Sequence, residues 1–176
     1  MNEFSRQYRI DTLSAEPREV EIGADAAERE ALAKRFALQS IQHLSATAAL
    51  SRRDGSVVAD GLLRATVTQS CVATGEPVPA ELEEAFRTEF RPDDAAGRDD
   101  EIELSEGELD VVFYEGGSID LGEAVAETLS LALDPYPRCP AAEDALRDAG
   151  VKSEEEAREE SSPFAVLKAL KDRLEP

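Results

Sequence analysis

A chain of 176 residues fits one domain of ordinary size with some appended segments, and 41% hydrophobic residues suffice for a core. The absence of Trp and an aromatic content of 5% make that core aliphatic and modest. The 39 acidic and 19 basic residues leave a formal charge of −20, which repels phosphate backbones over about 8 Å at physiological salt and disfavours non-specific nucleic-acid binding by the whole body.

Basic proteins are the natural electrostatic partners of such a surface. The opening MNEFSRQYRIDTL has no apolar h-region, and no run approaches ~18 apolar residues, so neither a secretory leader nor a membrane span is expected. Two cysteines far apart in such a chain predict free thiols in a reducing cytoplasm.

Residues 6–10 and 19–22 have the pattern of two short strands, separated by a turn region that includes Pro17. Residues 25–39 turn helical, with Asp25 as the cap and Ala26, Ala27, Leu32, Ala33, Phe36 and Ala37 on the apolar side. A weak alternation over 40–52 follows, through Ile41, Leu44, Ala46, Ala48 and Leu50. Asp54-Gly55 is then a strong hairpin signal.

The clearest strand comes next: Val57, Ala59, Leu63, Ala65 and Val67 point one way, and Asp60, Arg64, Thr66 and Thr68 the other. It ends in SCVATGEPVP, where Gly75 and Pro77 mark a turn, and Leu82, Phe86 and Phe90 begin another alternation. Segments 40–52, 56–70 and 80–90 thus predict an antiparallel meander, buried on one face, within an α+β fold.

Residues 92–110 crowd nine carboxylates around two glycines and predict a flexible acidic loop. Residues 111–114 form a short apolar strand, and Gly116-Gly117 a turn. Leu121, Ala124, Val125, Thr128, Leu129 and Ala132 then lay one stripe along a helix, which must pack that stripe on the sheet to be stable. Asp120 and Glu123 have the spacing of a capping box, and Pro135 and Pro137 stop the helix. Its other face, with Glu123, Ala126, Glu127 and Ser130, is polar or small.

Residues 1–140 thereby make a single α+β domain, with 141–176 as an appended acidic segment and C-terminal helix. Residues 141–162 have the composition of a surface helix or a partly disordered segment. Ser162 caps and Pro163 starts the last helix, whose Phe164, Leu167, Leu170 and Leu174 share a face.

Few residues have the pattern of a chemical site. Cys71 and Thr74 occupy the two positions of a C-x-x-C knuckle, but one thiol there, Cys139 and the lone His43 fall short of the four ligands of a structural zinc site. Cys71 reads instead as a small, half-buried residue at a strand end. His43 has no nucleophile or orienting partner in sequence terms, and no phosphate-loop, dinucleotide or nucleophile-elbow motif accompanies it. The run DDAAGRDDEIE misses the spacing of a calcium loop and contains Arg98. No enzyme, metal or cofactor is therefore expected.

The C-terminal pattern suggests a helix that docks in a partner's groove through Phe164, Leu167 and Leu170. Lys168, Lys171 and Arg173 reverse the charge locally, which suits RNA phosphate or an acidic partner. The alternative is a helix folded back on its own acidic domain.

Three segments in order resemble the YceD family of large ribosomal RNA subunit accumulation proteins. They are VTQSCVATGEPV around Cys71, GGSIDLGEAVAETLSLALDPYPRC with its Ile-Asp-Leu motif at Asp120 and Leu121, and SSPFAVLKALKD. Thr74 stands where the family has a second cysteine, Asp134 where it often has leucine, and only Cys139 remains of a distal cysteine cluster. A zinc role is for that reason not carried over. The resemblance implies a cytoplasmic factor needed for accumulation of 23S ribosomal RNA, without catalytic residues. Its partners would be ribosomal or RNA-processing proteins, with direct RNA binding through the C-terminal helix as the alternative.

Overall fold

The computed structural model describes residues 3–53, 55–93, 110–152 and 158. Three long strands, β3 (Ser40–Arg53), β4 (Ser56–Ser70) and β5 (Pro77–Pro92), form the antiparallel meander expected from their alternation. Leu50, Val57, Ala59, Leu63 and Val67 are fully buried on its inner face. One detail of the pattern has a local cause. Ile41 and Leu44 are both buried although three residues apart, because a β-bulge between Ile41 and His43 shifts the register and returns the side-chain phase to the core.

The sheet is wider than a meander. On one edge β2 (Arg18–Gly23) pairs antiparallel with β3; on the other, β6 (Asp110–Tyr114) pairs with β5 in parallel. The strand expected over 111–114 thus joins the edge of the antiparallel meander in parallel: parallel neighbours need a crossover of about a dozen residues or more, and the connection over 93–109 is long enough. A second, two-stranded sheet joins β1 (Gln7–Arg9) to β7 (Ser118–Asp120), a pairing across more than a hundred residues.

Helix α1 (Ala26–Arg35) begins in a full capping box, Asp25 accepting from the Glu28 amide while the Glu28 carboxylate accepts from the Asp25 amide. It stops earlier than expected from 25–39. Ala37 adopts the left-handed conformation (φ 54°), and Leu38 N–H donates to Ala33 O at 2.9 Å, closing a Schellman turn.

Helix α2 (Leu121–Ala132) packs on β4 and β5 with Leu121, Val125 and Leu129 fully buried. Two expectations for it change. Ala126, placed on the polar side, is also buried; it lies one helical turn beyond Gly122, against which the backbone of Phe4 and Arg6 passes. Glu123 does not act as a capping-box partner; both its oxygens engage Arg35 (2.7 and 3.1 Å) at the end of α1. A short helix, α3 (Ala142–Asp148), buries Ala142 against Cys71 and Cys139.

Gly61, in the middle of β4, is required by close packing. A Cβ there would collide with Thr47 O and lie 2.7 Å from the Phe86 ring, which covers the glycine from the adjacent strand.

Candidate functional site

Two of the motif segments meet at one end of the fold. β4 runs out at Ser70, and the turn that follows is closed by Cys71 N–H donating to Glu76 O and Gly75 N–H donating to Cys71 O, both 2.8 Å. Gly75 takes a positive φ of 76°, as a tight turn of this kind demands. The segment leaving α2 lies against this turn. Val72 N–H donates to Pro137 O (2.9 Å), and the Gln69 side chain to Asp134 O (2.8 Å). These bonds bring Cys139 beside Cys71.

Both thiols are free and buried, 3% and 7% exposed, so Cys71 is not half-buried as its strand-end position suggested. Cys139 N–H donates to the Cys71 sulfur at 3.3 Å. The Cys139 sulfur lies 3.2 Å from both the Thr74 hydroxyl and the Glu76 carboxylate. The Cys139 amide, the Thr74 hydroxyl and the Ala73 and Thr74 amides stabilise the Cys71 thiolate and bring its pKa down to about 6. At Cys139 the Thr74 hydroxyl favours the thiolate, but burial, the Glu76 carboxylate and the Cys71 sulfur outweigh it and hold the thiol above its ordinary value. Among the described residues no group of three or more His, Cys, Asp and Glu could hold a metal ion.

Beside the turn runs a groove of mixed lining, apolar at Phe36, Leu38, Val72 and Leu133 and polar at Gln69 and Asp134. Val72 in this groove is 55% exposed, and Leu131 (81%) and Tyr136 (72%) also stand open on the surface.

Asp120 and Leu121 serve the start of α2. Leu121 is fully buried, and Asp120 accepts from Gly122 N–H (3.1 Å), Glu123 N–H (3.3 Å), Arg6 N–H (2.8 Å) and Ser5 Oγ (2.6 Å). The N-terminal contribution was missed by sequence reasoning: Phe4 is fully buried, and Arg6 makes a bidentate pair with Glu28 (2.6 and 2.8 Å). The available signal was Gly122 inside a helical stripe. A Cβ there would lie 2.6 Å from Phe4 O and 2.8 Å from Arg6 N, so the glycine marks a backbone crossing.

His43 is exposed, with Nε2 2.9 Å from Ser45 Oγ on the same strand. Phe164, Leu167, Lys168, Leu170 and Lys171 lie outside the described residues, as does most of the acidic loop. No helix among the described residues is long and apolar enough to cross a membrane.

Comparison with curated proteins and with solved structures found no match. The family model for the large ribosomal RNA subunit accumulation protein YceD matches residues 59–171, more than half of the chain, and spans β4, the Cys71 turn, α2 and its exit. The chain belongs to the YceD family, and its role lies in accumulation of the RNA of the large ribosomal subunit.

Proposed function

We propose that this chain promotes large-subunit ribosomal RNA accumulation in the cytoplasm without catalysing a reaction, by binding basic proteins of the ribosome or of RNA processing. The observation that carries this reading is a set of exposed apolar side chains, Val72, Leu131 and Tyr136, on a chain of charge −20. Apolar anchors set in an acidic surface suit a partner with apolar and cationic groups; a phosphate backbone meets repulsion there. The family motif beyond α3 supplies a second contact, with Phe164, Leu167 and Leu170 spaced as the anchors of a groove-docking helix.

Direct RNA binding through Lys168 and Lys171 is the competing reading, motivated by their local reversal of charge. Binding of the purified chain to large-subunit proteins, in competition with free ribosomal RNA fragments, separates the two. On the protein-contact reading the fragments leave the complex intact. Displacement by the fragments, together with a steep fall of affinity with log salt for the fragments themselves, favours RNA.

A further inference from the structure

The two cysteines are the only ones in the chain, stand 68 residues apart in sequence, and meet in a small cluster separate from the main core. Cysteines that serve only as small apolar filler have apolar neighbours. Here Ala73, Val78 and Ala142 pack around the pair, but polar groups are also directed at sulfur: the Cys139 amide at Cys71, and the Thr74 hydroxyl and Glu76 carboxylate at Cys139. Bonds that do not involve sulfur fix both backbones, through Cys71 N–H to Glu76 O and Val72 N–H to Pro137 O. The pair is thus held together whichever state the sulfurs are in.

We infer that Cys71 and Cys139 are a reversible modification site, a thiol pair that a hydroperoxide oxidises to an intramolecular disulfide and a small dithiol reduces again. The inference stands on the geometry of the turn and is independent of the partner reading above. The two thiols have unequal roles. Cys71, whose thiolate is stabilised by four hydrogen-bond donors, is the nucleophile, and Cys139, kept protonated beside Glu76, resolves.

In the first step the Cys71 thiolate attacks the terminal oxygen of hydrogen peroxide. The O–O bond breaks, Cys71 becomes a sulfenic acid, and the departing hydroxide takes up as water the proton that the Cys71 thiol released to solvent on ionising. In the second, the Cys139 thiol gives its proton to Glu76 and its sulfur attacks Cys71. The S–O bond breaks, and the departing hydroxide recovers that proton as water. Two thiols and one peroxide become one disulfide and two waters, with two electrons passing from sulfur to oxygen. Beside the pair, the turn residues Val72, Thr74, Gly75 and Glu76 are exposed, which gives a small oxidant a route.

The disulfide joins the end of β4 to the segment that leads into α3 and the C-terminal motif. Closing a loop of this length raises the melting temperature by roughly 5–15 °C in a chain of this size.

The full-length chain, reduced and desalted, is treated with a few equivalents of hydrogen peroxide and followed by intact mass. The expected product is a monomer lighter by about 2 Da, inert to an alkylating agent and restored to two alkylatable thiols by dithiothreitol. Cys139→Ser is expected to halt at a sulfenic acid heavier by about 16 Da, and Cys71→Ser to react roughly tenfold more slowly than wild type. Two thiols still alkylatable in wild type under conditions that oxidise Cys139→Ser, or a disulfide formed only between two chains, overturns the inference. The wild-type alkylation result decides alone if either variant fails to fold.

Discussion

The carboxylate of Asp120 accepts the backbone N–H of Arg6 at 2.8 Å across 114 residues of sequence. The same side chain caps α2 by accepting from Gly122 and Glu123, so one group both starts the helix that closes the core and ties down the N-terminal strand. Asp120→Ala removes a cap, worth about 1 kcal/mol, and leaves part-buried donors without an acceptor, worth about 1–3 kcal/mol more. Urea unfolding should show a loss of about 2–4 kcal/mol, and Asp120→Asn, which keeps one accepting oxygen, a smaller one. An unchanged midpoint for Asp120→Ala contradicts the double role.

Gly61→Ala is expected to destabilise the sheet by about 1–3 kcal/mol, because the new Cβ collides with Thr47 O, an atom of backbone that cannot rotate away. Phe86→Ala in the same background removes the ring 2.7 Å from that Cβ and relieves only the side-chain part. Cycles of the two variants in urea check this: full rescue by Phe86→Ala means that the backbone contact is not the cause.

Ala37→Gly works in the opposite direction. The residue sits at φ 54° in the Schellman turn that ends α1, where a Cβ is strained and glycine is not. A gain of about 0.5–1 kcal/mol is expected after the greater unfolded-state freedom of glycine is set against the relieved strain. A loss of stability in thermal unfolding rules out this account of the helix end.

Acid sensitivity should trace in part to Glu28. The bidentate Arg6 guanidinium, more than the donated Asp25 amide, holds its carboxyl below the usual 4.5. A carboxyl with a depressed folded-state value stabilises fully above its unfolded value and loses that contribution as the pH falls through the folded one. Arg6→Met should therefore lower stability at pH 7 while flattening the fall of stability below pH ~4.5. An equal slope in variant and wild type removes Glu28 from the acid transition.

How far the fold was legible depended on how local its causes are. The alternation of Val57 to Val67, the stripe Leu121, Val125 and Leu129, and the Asp25 cap are short-range patterns, and the structure has them where the residues put them. Pairings such as β1 with β7 and β6 beside β5 join short strands whose partners leave no local trace. Burial of Phe4 and the grip of Arg35 on Glu123 were hidden for the same reason. The site was half legible. Cys71 and Asp120 stood out through motif spacing, but the meeting of Cys71 with Cys139 needs the turn and the helix exit to be folded together. The C-terminal anchors remain a matter of sequence pattern.

Phe164→Ala separates docking from self-packing at those anchors. A partner hot spot truncated in this way costs about 2 kcal/mol or more of binding, roughly thirtyfold in affinity, with thermal stability nearly unchanged. A buried structural Phe costs about 3–5 kcal/mol of folding instead. A collapsed melting temperature with unaltered affinity per folded molecule contradicts docking.

The claim that protein contacts carry the function is tested most directly by affinity capture of the full chain from cell extract, with and without ribonuclease. The account predicts that basic large-subunit or RNA-processing proteins remain bound after complete digestion of the RNA. Loss of all of them on nuclease treatment, with ribosomal RNA fragments retained by Lys168 and Lys171 and released when both are changed to Glu, contradicts it.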